Sequence, residues 1–212
     1  MKSVLSFWLD LGVDGWRMDA IGHIWEDEQF LDEPISGFAF DPNDYIYLTH
    51  IYTYDLPMTR TILKEFYDLI KSYTAIDGFD RLDMLEFYQN TNVLDYNQGS
   101  IPYFDCSDFP FNFNLLFSVP ENETVSAQRI QDLITSWLRI VPDGKKANWV
   151  IGNHDQWRVG SRFRSELMNA FNLLTMTLPG VSITYYGEEL GKISCQKEKN
   201  YISTTLKTYC IV

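Results

Sequence analysis

The chain has 212 residues, is 45% hydrophobic and 16% aromatic, and carries a formal net charge of -12. That is enough apolar material for one globular domain with its own core, and the acidic balance excludes a nucleic-acid partner, which needs a basic face. Three cysteines, Cys106, Cys195 and Cys210, show neither CxxC spacing nor a companion His cluster, so neither a zinc site, nor any other metal or cofactor, nor a full disulfide framework is expected.

Val4 to Leu11 carries apolar residues at helical spacing and predicts a short helix leading into a strand over Val13–Met18. The apolar run of Met1–Leu11 is broken by Asp10 and does not read as a leader, and no run approaches a membrane span. Residues 22 to 57 are rich in turn signals, among them Asp32-Glu33-Pro34 and Asp41-Pro42-Asn43-Asp44. A connection that long is usually functional. Residues 57 to 74 predict an amphipathic helix on Ile62, Leu63, Phe66, Leu69, Ile70 and Tyr73. Arg81 to Tyr88 predicts a second strand, and 89 to 122 a turn-rich stretch holding Phe109-Pro110-Phe111-Asn112-Phe113. Ser126 to Ile140 predicts a helix capped by Ser126. A third strand follows over Trp149–Gly152, then a helix over Arg162–Met176 and a fourth strand over Val181–Tyr186. Glu188 and Glu189, just beyond it, read as a solvated turn. Helices and strands alternate, which predicts a parallel α/β fold.

In such folds the chemistry lies beyond the carboxyl ends of the strands. Asp19, Glu86 and the pair His154-Asp155 stand at three such ends. Arg17 and Asp19 are two apart, so strand geometry puts them on one side. A carboxylate beside a guanidinium stays ionised, which suits a nucleophile; taken alone, the pair reads first as a brace for the strand. Two carboxyls across a glycosidic bond run retaining hydrolysis, one attacking and one protonating the leaving oxygen, while a third steadies the oxocarbenium charge. A divalent metal held by the same carboxylates is disfavoured by the cation of Arg17.

The stretches Asp14-Gly15-Trp16-Arg17-Met18-Asp19-Ala20, Met84-Leu85-Glu86-Phe87-Tyr88 and Asn153-His154-Asp155, in this order and spacing, resemble the α-glucosidases and maltases of the α-amylase superfamily, glycoside hydrolase family 13. Flanking stretches from Phe30-Leu31-Asp32-Glu33-Pro34 to Tyr185-Tyr186-Gly187-Glu188-Glu189 are similar to maltase segments as well. The resemblance implies Asp19 as nucleophile, Glu86 as acid/base and Asp155 as transition-state carboxylate, with Arg17, His154 and Arg158 binding substrate. It implies an α-glucoside oligosaccharide as partner and an extracellular or membrane-anchored setting, which the acceptor triplet Asn122-Glu123-Thr124 suits. The fold it implies is the C-terminal part, about strands 4–8, of a (β/α)8 TIM barrel, over residues 1–191, with 192–212 as an unrelated polar tail. The expectation is therefore a truncated form that keeps the catalytic carboxylates but not the activity. Phe87, where the family has a small residue, is expected to narrow the site. Heavy-chain subunits of amino-acid transporters share the fold without glycoside chemistry and supply the alternative reading.

Overall fold

The computed structural model describes residues 1–88, 98–117, 126–163 and 165–194. The acceptor triplet at Asn122, Cys195, Cys210 and all of the polar tail after Ser194 lie outside the described residues. Two compact units divide the chain, the first made of Met1–Phe111 with Ile140–Lys145 and the second of Asn112–Arg139 with Lys146–Val212.

The first unit opens with helix α1 (Lys2–Asp10), which buries Leu5 and Leu9, and turns at Gly12 into strand β1 (Gly15–Met18). Helix α2 (Pro57–Asp77) starts on Pro57, whose fixed φ and missing N–H suit a first turn, and ends on Gly78 at φ 79. Its apolar stripe buries Leu63, Phe66 and Ile70. Strand β2 (Leu82–Leu85) pairs parallel with β1, Arg17 opposite Met84 and Met18 opposite Leu85. Strand β3 (Phe109–Pro110) pairs parallel with β2 on its other edge. The core between strands and helices holds Leu5, Ile21, Leu63, Phe66, Leu85 and Phe87. Burying a large apolar side chain contributes about 1.5–3 kcal/mol, so this cluster is what fixes the ends of β1 and β2.

The second unit carries α3 (Asn114–Phe117), α4 (Ala127–Ile140), β4 (Asn148–Val150), α5 (Val159–Arg162), α6 (Met168–Thr177) and β5 (Val181–Ile183). Ser126 caps α4 as expected, its Oγ accepting from the Arg129 amide at 3.1 Å. Strand β4 pairs parallel with β5.

Two expectations need correction. The stretch Phe109-Pro110 is a fifth strand; with two residues and a proline it has no alternation to read. Between β2 and β3 the described residues hold a 3-10 turn over Gln98–Cys106, within the stretch expected to be turn-rich. The helix expected over Arg162–Met176 is broken, because Phe163 leaves helical geometry at ψ -137 and the chain resumes through a 3-10 turn at Ser165–Leu167.

Candidate active site

Strand β1 delivers Arg17 in register with Met84, and Asp19 follows at its carboxyl end. Strand β2 ends at Leu85, so Glu86 leaves the sheet beside Asp19. The backbone locks this: the Glu86 amide donates to the Met18 carbonyl at 2.8 Å, and the Ile21 amide to the Glu86 carbonyl at 3.1 Å. Between them Ala20 adopts the left-handed conformation, φ 45 and ψ 43. That conformation costs a non-glycine residue about 1 kcal/mol, and it turns the Ala20 amide onto Glu86 Oε2 at 3.2 Å.

One guanidinium serves both carboxyls. Arg17 Nη1 donates to Asp19 Oδ1 at 2.7 Å and Nη2 to Glu86 Oε1 at 2.6 Å. The Tyr88 hydroxyl adds a second donor to Glu86 Oε1 at 2.8 Å. Arg17 also lies 5.8 Å from the centre of the Phe111 ring. The two carboxyls differ sharply in solvation, the Asp19 side chain being 67% exposed and that of Glu86 4%. Burial pushes the Glu86 carboxyl up from the ordinary glutamate range, and a hydrogen bond shared with Asp19 adds to this; Tyr88, the Ala20 amide and Arg17 oppose it without cancelling it. The site therefore pairs an exposed carboxyl with a buried one that binds its proton more tightly than an ordinary glutamate, two environments that push the groups apart.

The loop between β1 and α2 borders this cluster. Glu33 organises it, accepting from the Ile51 amide at 2.8 Å, the Tyr52 amide at 2.7 Å, Thr53 Oγ1 at 2.9 Å and Thr49 Oγ1 at 3.2 Å. Tyr54 packs its ring on Gly22, where a Cβ would overlap it, and stacks on Phe87. Phe87 itself is buried against Tyr103. It therefore belongs to the core, and the expectation that it narrows the site is not met.

Asp155 and His154 belong to the second unit, in the loop after β4. Asn153 Oδ1 accepts from the amides of Asp155 and Gln156, each at 3.0 Å, which fixes the turn. His154 Nε2 stands 3.6 Å from Asp155 Oδ2, and both side chains are about half exposed. Arg158, by contrast, is 2% exposed. Its Nη1 donates to the Tyr186 carbonyl at 2.7 Å, and its guanidinium lies 4.7 and 4.8 Å from the rings of Tyr185 and Tyr186. Glu188 also departs from expectation: it is a fully buried carboxyl, not a solvated turn. Its Oε2 accepts from the Tyr185 amide at 3.0 Å, and Oε1 lies against Gly152 without a hydrogen-bond partner. Its acidic neighbour in the sequence concealed this, because two adjacent glutamates after a strand look like surface. Among the described residues, no three His, Cys, Asp or Glu side chains gather as a metal site would need.

In each unit parallel strands carry polar residues just beyond their carboxyl ends, the place where α/β folds set their functional groups. The alpha-amylase catalytic-domain family matches residues 1–209, and the chain belongs to that family, whose fold is a (β/α)8 barrel. Among curated relatives, Maltase 1 of Drosophila virilis is 42% identical over 200 residues, covering 91% of this chain and 30% of its own length. The salivary alpha-glucosidase of Anopheles gambiae is 37% identical, covering 91% of this chain and 33% of its own. The human amino acid transporter heavy chain SLC3A1 is 33% identical, covering 98% of this chain and 31% of its own. The chain thus spans about a third of the length of the relatives it matches. Among solved structures, the alpha-glucosyl transfer enzyme XgtA superposes with a TM-score of 0.73 at 24% identity, over 93% of this chain and 37% of its own, a likeness of fold.

Proposed function

We propose that the protein to which this chain belongs is a retaining α-glucosidase that hydrolyses terminal α-linked glucose from oligosaccharides, with Asp19 as nucleophile and Glu86 as acid/base. The observation that carries this reading is the single guanidinium of Arg17 bonded to both carboxyls, one exposed and one buried. Asp19 attacks the anomeric carbon as Glu86 passes its proton to the leaving oxygen. Water then hydrolyses the glucosyl ester, with Glu86 taking back a proton. Retention is taken from the family resemblance, and the single guanidinium that holds both carboxyls close together supports it. Asp155 is assigned to stabilising the transition state and His154 to the sugar hydroxyls; the exposure of both supports these roles. Arg158 is assigned to substrate binding by holding the Tyr185–Tyr186 pair, since its guanidinium is buried against them.

In barrel terms β1–β3 and β4–β5 are about strands four to eight, and their chain order supports that numbering. The salivary relative favours an extracellular setting. No helix among the described residues is long and apolar enough to cross a membrane. The non-catalytic reading rests on the transporter heavy chain, and the differently solvated pair of carboxyls argues against it.

The test is a pair of substitutions in the protein carrying this segment. Asp19→Asn is expected to abolish turnover of maltose and of an aryl α-glucoside alike. Glu86→Gln is expected to abolish turnover of maltose and to spare the first step on an aryl glucoside, whose leaving group needs no proton. Normal maltose turnover in either variant overturns the assignment.

A further inference from the structure

The two oxygens of Glu86 are held unequally. Oε1 takes Arg17 Nη2 at 2.6 Å and the Tyr88 hydroxyl at 2.8 Å, both full-strength donors. Oε2 takes the Ala20 amide at 3.2 Å, a longer bond. A proton on Oε1 would face the Arg17 N–H, donor against donor, and would require the Tyr88 hydroxyl to turn from donor to acceptor. We propose that Tyr88 is a positioning residue for the acid/base: together with Arg17 it holds Oε1 of Glu86, so that the transferable proton resides on Oε2.

The proposal rests on the reading of Glu86 as the acid and adds to it which oxygen acts and what steadies the charge left behind. When the Oε2–H bond breaks and the leaving oxygen takes the proton, the electron pair stays on the carboxylate and spreads onto Oε1. Tyr88 and Arg17 are already seated there, so their bonds strengthen as the charge develops, with no reorganisation. The charged and titratable groups facing Glu86 in its unit are Arg17 and Asp19 from β1 and the turn after it, Tyr54 from the loop before α2, and Tyr88. Of these, Tyr88 is a donor that can be removed without altering charge or ring packing.

The experiment is a titration of Glu86 by carboxyl-carbon NMR in the 212-residue chain, with the resonance assigned by its loss in Glu86→Gln. Tyr88→Phe is expected to move the Glu86 midpoint to higher pH, because a bond favouring the ionised form has gone. A side chain that only fills space would leave the midpoint in place, and an unmoved or lowered midpoint overturns the proposal. Should Tyr88→Phe not fold, the Tyr88 ring carbon of the unsubstituted chain is expected to titrate at the Glu86 midpoint and to cease doing so in Glu86→Gln; a flat Tyr88 signal overturns the proposal. The readout does not depend on turnover. A shifted midpoint supports Tyr88 whatever the protein carrying this segment hydrolyses, an unmoved one overturns the Tyr88 proposal alone, and failure of the glucosidase reading is read separately, from maltose turnover by the protein carrying this segment and its Asp19→Asn and Glu86→Gln variants.

Discussion

Arg17 donates to Glu86 at 2.6 Å from β1 to a carboxyl 69 residues later in the chain. Its second nitrogen is committed to Asp19, so one planar fork sets the separation of two carboxyls. A lysine has the charge but not the fork. Arg17→Lys is therefore expected to keep one of the two bonds at best. Charged hydrogen bonds contribute about 1.5–3 kcal/mol each, so turnover of an α-glucoside should fall by at least about 10-fold while KM changes less. Initial rates across substrate concentration check this, and wild-type kcat in Arg17→Lys would refute the shared-fork account.

Glu33 controls the loop in a way its acidity makes testable. Burial is the largest single influence and raises its carboxyl, but bonds from the Tyr52 amide, Thr53, the Ile51 amide and Thr49 together outweigh it and set the group below the usual glutamate range. A lowered folded-state value means that the stabilisation is present above the ordinary glutamate value and is lost as pH falls through the folded one. Amide exchange at Ile51 and Tyr52 is expected to be slow near neutral pH and to lose its protection in acid, beyond the intrinsic pH dependence. Glu33→Gln, which puts an NH2 group in place of one of the two acceptor oxygens, should lose the protection of one of these amides at every pH and abolish its acid dependence. Equal protection in the variant would show that the loop is held by something else.

Much of this was legible in the sequence, for identifiable reasons. Arg17 sits on β1 and Asp19 just past its end, two residues on, so their joint placement followed from pleat geometry, and the structure bonds them at 2.7 Å. The stripe Leu63, Phe66, Ile70 announced α2 because each residue is one helical turn from the next. What could not be read was long-range. The cage around Glu33 joins it to residues 16 to 20 positions away. The burial of Glu188 depends on the turn of β4 at Gly152, and that of Phe87 on rings from the loop and the Gln98–Cys106 turn. No local pattern encodes such partners. The strand Phe109–Pro110 was too short to carry a period.

Asp83 illustrates the same gap, one strand position from Met84. It is fully buried, and neither carboxyl oxygen has a hydrogen-bond partner. Burial and then the charge of Asp108 push it up to about 7, with Lys71 opposing. Cys106, driven to about 12, and Tyr67 face the same group. Here the folded-state value is raised, so stability is full below the ordinary aspartate range and is lost as pH rises toward and through about 7. From the raised value, about 2–3 kcal/mol should go between pH 5 and pH 8. Asp83→Asn cannot ionise, and its melting temperature is expected to vary less over that range than that of the unsubstituted chain. Parallel melting curves against pH would refute a buried, titrating Asp83.

Gly152 and Glu188 give a test of coupling in the second unit. A Cβ at Gly152 would overlap the Glu188 carboxylate, which is buried and tied to the Tyr185 amide. Gly152→Ala must displace that carboxylate, and overpacking of a core typically costs about 1–3 kcal/mol. Glu188→Ala also destabilises, by leaving the Tyr185 amide without its acceptor. If the clash is what makes Gly152→Ala costly, the double variant should be more stable than the sum of the two losses predicts. The coupling should reach about 0.5–3 kcal/mol, the range for residues in contact. Urea unfolding of the four proteins measures it. Strict additivity would mean that Gly152 is required by its backbone and not by Glu188, and the loop carrying Asn153, His154 and Asp155 would then owe nothing to that carboxyl.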